Sequence, residues 1–321
     1  MISKIKKFLS YPLRKQIKTV FILSKSLVKK ITISILGKFV NVFTSTRIGR
    51  EVFFEVTPKN QLLLAHTKEN IYYIVNSSDK VIGRSVYCDR KSFDAHHLTD
   101  ALNLISSTKS ILIDVGANIG TIGILGVFKG YFEKCIAFEP EPNNFKILKH
   151  NVSLNGLSDK FELKNEALSY EANGSIEFEL SEENFGDHRV RIKTTSGIHN
   201  EANREVISVA VNTLDIALQD VSLDKCVLFM DTQGFEGHVL SGARKLIQGN
   251  VPIVTEFWPY GLKRSGGIDL FYEALINSGY TSMWDLKNPA KKMQFSIEQL
   301  KTIASKIGDD GDFTDFLFVK E

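Results

Sequence analysis

Cysteine is scarce in this sequence, and its few thiols show no pattern. The 321 residues include three cysteines, Cys88, Cys135 and Cys226. None of them is spaced as a metal-binding pair, and two lie within predicted buried strands. These spacings argue against a disulfide framework and a cysteine metal site, so we expect three reduced core thiols in a cytoplasmic protein.

Long apolar runs are also missing. No segment reaches the ~18 uninterrupted apolar residues that a membrane-spanning helix needs. In the most apolar region, near the N-terminus, Lys25, Lys29, Lys30 and Lys38 interrupt every candidate run. The region also lacks the continuous apolar core and small-residue cleavage site of a secretory signal. We therefore expect a chain that does not span a membrane.

Acidic residues are absent from the first 50 positions. Residues 1–50 contain 12 of the 40 Lys and Arg residues and none of the 37 Asp and Glu residues, so the rest of the chain is acidic. Apolar residues recur there at helical spacing, at Leu13, Ile17, Val20, Phe21, Leu27, Val28 and Ile31. This pattern predicts a basic amphipathic arm over 1–50. Such an arm suits peripheral contact with an anionic membrane, or alternatively it only keeps the protein soluble.

The chain is organised around a strand, a glycine turn and a helix that begin at Ile111. This segment contains only part of a dinucleotide-binding fingerprint. The apolar run Ile111–Val115 predicts a buried strand, and a helix is predicted over 119–128. Between them, Gly116 and Gly120 allow a ligand to approach the backbone near the positive end of the helix. Asn118 occupies the middle position of G-x-G-x-x-G, which weakens the case for a bound pyrophosphate.

Three predicted strands place an acidic residue at or near their carboxyl ends. Asp114 closes the first strand, Glu139 follows the second, and Glu166 lies at the end of a third strand predicted over 161–167. Glu139 comes 19 residues after Gly120, where an acid can accept hydrogen bonds from two ribose hydroxyls. A carboxylate-lined pocket repels phosphates and attracts cations, so it suits a nucleoside with a sulfonium and an ammonium group.

Six motifs in this order resemble the FkbM family of S-adenosylmethionine-dependent methyltransferases, over roughly residues 95 to 260. They are Asp114-Val115-Gly116-Ala117-Asn118-Ile119-Gly120, Phe138-Glu139-Pro140, Asn165-Glu166-Ala167-Leu168-Ser169, Thr213-Leu214-Asp215, Asp231-Thr232-Gln233-Gly234-Phe235-Glu236-Gly237 and Glu256-Phe257-Trp258-Pro259. The family more often has Lys-Ile-Asp-Val-Glu-Gly where this chain has Phe229-Met230-Asp231-Thr232-Gln233-Gly234. Roles of that lysine and of the first glutamate therefore do not carry over.

The resemblance implies an α/β class I methyltransferase fold, which is Rossmann-like, with a seven-stranded sheet whose last strand is antiparallel. We divide the chain into the arm at 1–50 and a methyltransferase domain at 51–321, in which 51–90 is a β lead-in and 91–321 the catalytic core. Short β-like runs predict four strands in the lead-in, at Glu51–Val56, Gln61–Ala65, Ile71–Val75 and Val81–Tyr87.

The activity implied is methyl transfer from S-adenosylmethionine to a hydroxyl of a glycan or another small-molecule acceptor. Nucleic-acid acceptors are not expected, because the chain lacks both the Pro-Pro-aromatic sequence after the fourth strand and a Pro-Cys nucleophile. We expect seven residues to bind the cofactor, namely Asp114, Gly116, Asn118, Gly120, Glu139, Glu166 and Ala167.

Three residues are candidates for the chemistry. Asp231 follows the fourth predicted strand, Glu256 ends the fifth, and His188 lies in the long polar segment 181–203, where it is a candidate base. Alternatively, Asp231 caps a helix and His188 is an exposed loop residue. Acceptor binding is assigned to Asp187, Arg189, Trp258 and Tyr260; alternatively, the two aromatic side chains pack in the core. We predict no metal ligands; adjacent His96 and His97 cannot converge on one ion.

Two other functional classes share parts of this pattern. A nucleotide-dependent oxidoreductase also has a strand, a glycine turn and an acidic strand end. A non-catalytic protein that retains a nucleoside pocket would account for the altered Phe229 and Gln233 positions.

Overall fold

The computed structural model describes residues 29–32, 34, 37, 42–107, 109–172, 174–192, 196–276 and 278–320. The chain forms two compact units, Met1–Val56 and Thr57–Glu321. Nearly all of the predicted amphipathic stripe, from Leu13 to Val28, lies outside the described residues.

In the first unit, the strand predicted at Glu51–Val56 is wrong, because this segment belongs to helix α1, Arg47–Val56. The helix starts at Thr46, whose hydroxyl oxygen accepts the backbone N–H of Gly49 at 3.0 Å. An ion pair one turn apart, between Arg47 and Glu51 at 2.9 Å, also favours the helix.

The second unit begins with a hairpin of β1, Leu62–His66, and β2, Tyr72–Asn76, which confirms two of the predicted strands. The next predicted strand, Val81–Tyr87, is wrong: helix α2, Ile82–Asp89, forms there. Its first turn is held by Asp79, whose carboxylate accepts the backbone N–H groups of Val81 and Ile82 at 3.2 Å and of Gly83 at 2.7 Å.

Alternating strands and helices make up the rest of the unit. In chain order they are α3 Ala95–Leu104, β3 Ile111–Val115, α4 Thr121–Phe128, β4 Lys134–Phe138, α5 Pro142–Leu154, β5 Phe161–Lys164, β6 Ala167–Leu168, β7 Ser175–Leu180, β8 Arg189–Val190, β9 Glu205–Asn212, α6 Leu214–Ala217, β10 Cys226–Met230, α7 Glu236–Ser241, α8 Arg244–Gln248, β11 Ile253–Phe257, α9 Pro259–Ser265, α10 Ile268–Ile276, β12 Ser282–Asp285, β13 Lys292–Gln294, α11 Ile297–Ile307 and β14 Thr314–Val319.

The main sheet has the strand order β13-β12-β14-β11-β10-β3-β4-β5. The five strands from β11 to β5 are parallel, and β14 lies antiparallel between β11 and β12, as the resemblance implied. The count is eight strands, not seven, because the short edge strand β13 pairs with β12. Three residues are too few for an alternating pattern to reveal such a strand.

Strand order places the candidate site at the carboxyl ends of β4, β3 and β10. Because β3 lies between β10 and β4, the connections after these strands run in opposite directions and leave a crevice between them. A smaller sheet of order β6-β9-β7-β8 follows β5 in the chain, and β7 pairs with β9 in the antiparallel sense.

The central strands are buried on both faces. Every residue of β10, β11 and β14 is buried, so these strands have continuous apolar character with a few acidic exceptions. Cys88, Cys135 and Cys226 are buried, as expected for core thiols. Among the helices of the described residues, none has both the length and the apolar character needed to cross a bilayer.

Candidate active site

The glycine turn after β3 packs tightly against the end of β10. Gly116 has a φ of 86°, and a Cβ at this position would lie 1.8 Å from the carbonyl oxygen of Asp231. In return, the backbone N–H of Asp231 donates to the carbonyl oxygen of Val115 at 2.9 Å. Glycine is therefore required here by both backbone conformation and space, and the turn fixes Asp231 beside the loop.

Glu139 organises the glycine turn. Its Oε2 accepts the backbone N–H of Asn118, and its Oε1 accepts that of Glu141, each at 2.8 Å. The residue is 4% exposed, and burial raises its pKa to about 8. Each carboxylate oxygen has a second lone pair, so the two oxygens can still accept hydrogen bonds from a pair of ligand hydroxyls.

A cavity of about 530 Å³ lies in front of this turn, and we call it the loop cavity. Five of the predicted cofactor residues line it: Gly116, Asn118, Glu139, Glu166 and Ala167. The rest of the wall is mostly apolar, with Val115, Phe138, Pro140, Leu168, Phe178, Phe185, Gly186, His188, Val190, Asp231, Thr232 and Phe235. Within the described residues, this wall includes no lysine or arginine.

The other two predicted cofactor residues, Asp114 and Gly120, lie outside that wall. Oδ2 of Asp114 accepts the backbone N–H of Gly123 at 3.1 Å, and burial raises the pKa of Asp114 to about 7. Gly120 has a φ of 91° and faces the side chain of Leu148. In the structure, Asp114 joins β3 to the first turn of α4, and Gly120 packs against α5.

The polar segment after β7 closes one side of the loop cavity. The side-chain amides of Asn118 and Asn144 donate to the carbonyl oxygen of Phe185, at 2.8 and 3.3 Å. These bonds hold Phe185, Gly186 and His188 in the cavity wall. The segment is therefore anchored to the glycine turn and to α5.

His188 is a poor proton acceptor in this arrangement. Its Nδ1 accepts the backbone N–H of Ser181 at 2.9 Å, and its ring stacks on Phe185 with centroids 5.2 Å apart. Burial and the nearby Arg204 lower the pKa of His188 to about 4. The ring is thus neutral at pH 7 and carries its proton on Nε2, so it offers a ligand a donor.

Asp231 and Glu256, the other two candidates for the chemistry, lie on neighbouring strand ends and share one partner. Nε2 of Gln233 donates to Oδ1 of Asp231 at 2.7 Å and lies 3.3 and 3.4 Å from the two oxygens of Glu256. Burial raises the pKa of both carboxyl groups, and the proximity of Asp231 raises that of Glu256 further.

A second cavity, of about 910 Å³, opens on the other side of Asp231, and we call it the acidic cavity. Five carboxyl groups line it: Asp94, Asp187, Asp231, Glu256 and Asp315. Its remaining wall consists of Val81, Ile82, Phe93, His97, Asn184, Gly186, His199, Gln233, Trp258, Gly311 and Phe313. Again the wall has no lysine or arginine within the part of the chain that the structure describes. Asp231 and Gly186 belong to both cavities.

Two of the predicted acceptor residues, Arg189 and Tyr260, lie behind the acidic cavity. The Arg189 guanidinium pairs with Glu179 at 2.9 Å, with Asp187 at 3.1 Å and with Glu201 at 3.2 Å. The Tyr260 hydroxyl donates to Glu201 at 2.7 Å. Both side chains are engaged in a buried ionic network, which also includes Arg204. They support the wall and do not form it.

The other two, Asp187 and Trp258, do line the acidic cavity. The indole N–H of Trp258 donates to the carbonyl oxygen of Gly311 at 3.1 Å, and the Arg189 guanidinium lies 5.1 Å from the ring centroid. These contacts fix the ring, so Trp258 is a rigid wall of the cavity.

Sequence reasoning missed four polar residues of the site: Asp94, Gln233, Glu236 and Asp315. The clearest available signal is at Asp315, an acid within a strand that is otherwise apolar or uncharged, Thr314–Val319. Burial and the neighbouring Asp231 raise the pKa of Asp94 to about 7, and the same two causes, with Asp94, raise that of Asp315 to about 8.

Comparison with known proteins yields one family match. The sequence pattern of the methyltransferase FkbM domain matches residues 114–275, which include the glycine turn, Glu139, Asp231 and Glu256. No curated protein matches the chain.

Several solved structures are similar at low identity. One is a methyltransferase FkbM from Methylobacillus flagellatus KT, 18% identical, with 67% of this chain and 45% of that chain covered and a TM-score of 0.40. A putative transferase of Pyrococcus horikoshii is 13% identical, with 86% and 84% covered and a TM-score of 0.39. The TYW2 protein of P. horikoshii, in complex with MeSAdo, is 14% identical, with 86% and 84% covered and a TM-score of 0.38. These scores are low, so the family assignment depends on the domain match.

Proposed function

Because this chain belongs to the methyltransferase FkbM domain family, we propose that it methylates a hydroxyl oxygen of a glycan or another small-molecule acceptor. Its cofactor is S-adenosylmethionine, which supplies a methyl group carried on a sulfonium. The observation that supports a transfer site is that the loop cavity and the acidic cavity meet at Asp231 and Gly186. A donor and an acceptor can therefore be held side by side, as displacement at a methyl carbon requires.

The loop cavity suits a cationic nucleoside. Apolar walls such as Phe138, Leu168 and Phe235 can enclose a planar base. Glu139 would accept the ribose hydroxyls, while Glu166 and Asp231 would attract the ammonium and sulfonium groups. Asn118, Glu139 and the Phe185 carbonyl form one hydrogen-bonded unit that keeps the turn in place.

On the acceptor side, the hydroxyl must lose its proton as the new carbon–oxygen bond forms. Asp231 is the best-placed group, because its backbone is fixed by Val115 and its side chain lines both cavities. Burial raises its pKa, which makes the carboxylate a stronger base than an exposed aspartate. Glu256 lines the acidic cavity beside it and would orient the hydroxyl. His188 would donate through Nε2 and not act as the base.

The rival functional classes are less well supported. A dinucleotide cofactor would place a pyrophosphate among Glu139, Glu166 and Asp231, with no cationic residue in the described wall to offset the repulsion. A relict pocket would not require buried carboxylates in a second, adjoining cavity, because each of them costs free energy to bury.

Methyl transfer can be tested with S-adenosylmethionine labelled on its methyl group and fractionated cell extracts. Mass spectrometry should detect a labelled ether in one acceptor fraction. Asp231→Asn should lower the rate ~10²–10⁴-fold, which is typical for loss of a general base. The matched control Asp224→Asn, at an exposed site, should leave the rate unchanged. Label on an amine nitrogen would overturn the hydroxyl assignment, and no labelled product would overturn the activity.

The arm is expected to act as a surface contact. We propose that residues 1–50, with 12 basic residues and no acidic ones, bind an anionic membrane face and bring the enzyme close to lipid-linked or membrane-associated acceptors.

A further inference from the structure

Three carboxylates converge beside the acidic cavity, and two of them, Asp231 and Glu256, line it. Asp231, Glu236 and Glu256 each place one oxygen within 4.8 Å of the others. Oxygens bound to one Mg²⁺, Mn²⁺ or Ca²⁺ ion lie up to about 4–5 Å apart, because metal–oxygen distances are about 2.0–2.6 Å. The three groups therefore lie close enough together to reach one ion.

Two buried carboxylate oxygens near this point have no hydrogen-bond partner within the described residues. Oε1 of Glu236 accepts from the backbone and hydroxyl of Thr232, both at 2.8 Å, yet its Oε2 has no partner. Oδ2 of Asp315 is likewise unpartnered, and this residue lines the acidic cavity with 7% exposure. Nδ1 of His97 lies 3.5 Å from that oxygen, which is beyond the 2.7–3.2 Å range of N–H···O hydrogen bonds.

Asp315 belongs to the same group because it faces Glu256 across the sheet. The two residues are direct partners in the antiparallel pair of β11 and β14, so their side chains project from the same face. Like charges at directly opposed positions destabilise a sheet. A divalent cation beside the two carboxyl groups would offset this repulsion when both are ionised.

Among the described residues, no lysine or arginine forms an ion pair with Asp231, Glu236 or Glu256. Within the described residues, the acidic cavity has no lysine or arginine in its wall, and Arg189 and Arg204 pair instead with Asp187. The amide of Gln233 is the group that separates Asp231 from Glu256. Glu236 is fully buried, so a bulky acceptor amine cannot reach it.

We propose that Asp231, Glu236 and Glu256 bind a hard divalent cation such as Mg²⁺ or Mn²⁺, with Asp315 beside them. Carboxylate oxygens are the preferred ligands of these ions. The catalytic use of the ion rests on the proposed hydroxyl methylation: an ion at Asp231 and Glu256 borders the acidic cavity, where it would bind the acceptor oxygen and lower the hydroxyl pKa. The Asp231 oxygen that does not contact the ion would then take the proton.

Binding of Mn²⁺ to the full-length protein, without cofactor or acceptor, tests this site. Free Mn²⁺ measured by electron paramagnetic resonance should show one saturable site. Glu256→Gln and Glu236→Gln should each weaken Mn²⁺ binding ~10-fold or more, because each removes a charged ligand. The control Glu141→Gln changes a buried carboxylate that caps α5, and it should bind Mn²⁺ as the wild type does.

A second measurement locates the ion without altering its ligands. The chain has two tryptophans, so in the Trp284→Phe variant Trp258 is the remaining one, and it lines the acidic cavity with Glu256. Saturation with Mn²⁺ should quench Trp258 fluorescence, and excess Mg²⁺ should reverse the quenching. The absence of saturable Mn²⁺ binding, or binding that leaves Trp258 unquenched, would overturn the metal site. Neither result would bear on methyl transfer, which is measured separately.

Discussion

Exchanging Glu139 for glutamine alters the cofactor site with little change in shape. The carboxylate accepts two backbone N–H groups, from Asn118 and Glu141, both at 2.8 Å. A glutamine amide has one oxygen, so one of these two N–H groups would face the NH₂ group and lose its acceptor. The same exchange removes a charged acceptor from the ribose hydroxyls.

A hydrogen bond to a charged group contributes about 1.5–3 kcal/mol, so Glu139→Gln should weaken S-adenosylmethionine binding by that amount. The dissociation constant should rise ~10–150-fold when measured by isothermal titration calorimetry at pH 9, where Glu139 is ionised. The matched control is Glu141→Gln, which changes the buried cap of α5 outside the wall of the loop cavity. This control should lower thermal stability and leave the affinity unchanged.

The pH dependence gives the same prediction a second readout. Because burial raises the pKa of Glu139 to about 8, the free protein gains the carboxylate as the pH rises through that value. Ribose hydroxyls donate to the ionised form, so wild-type affinity relative to Glu139→Gln should increase between pH 6.5 and 9. Titration of the ligand amine is common to both proteins and cancels in the ratio. Equal affinities with parallel pH profiles would refute the role of Glu139.

Three further predictions concern other parts of the chain. The unfolded pKa of His188 is 6.5 and its folded pKa about 4, so its stabilisation is complete above pH 6.5 and falls by about 3 kcal/mol towards pH 4. His188→Asn keeps an acceptor for the backbone N–H of Ser181, and its free energy of unfolding, measured by denaturant titration, should lack this pH-dependent loss. Parallel plots of unfolding free energy against pH for the variant and the wild type would exclude the contribution of His188. Gly116→Ala should destabilise the protein far more than Gly130→Ala. Gly130 has a φ of 73°, but a Cβ added there meets no atom within 4 Å, so its substitution should cost only about 1–2 kcal/mol. Similar shifts in melting temperature for the two variants would contradict the tight packing of Gly116 on Asp231. Changing Lys25, Lys29 and Lys30 to glutamate should abolish sedimentation with anionic vesicles yet spare cofactor binding, whereas unchanged sedimentation would remove the arm as the membrane contact.

The parallel core could be predicted from the sequence because its signals are local. Apolar runs such as Ile111–Val115 and Cys226–Met230 are long, and glycines and acids mark their ends. Glu139 and Asp231 were found for the same reason, since each follows directly on such a run. The methyltransferase family also followed from these motifs, and the domain match confirms it.

The two wrong strand predictions arose because a short apolar segment fits both the helical and the strand period. Val81–Tyr87 contains β-branched and aromatic residues, but Asp79 accepts three backbone N–H groups and starts a helix instead. Contacts between distant segments were also beyond sequence reasoning. Asp315 reaches the site only because β14 pairs with β11, and the bond from Ser181 to His188 decides which nitrogen of the ring is free.

The central claim is that the loop cavity binds a cationic nucleoside cofactor, and a calorimetric titration of the full-length protein tests it directly. S-adenosylmethionine should bind at one saturable site per chain, and NADH, whose pyrophosphate would face Glu139, Glu166 and Asp231, should not bind. Saturable binding of NADH together with no binding of S-adenosylmethionine would contradict the account.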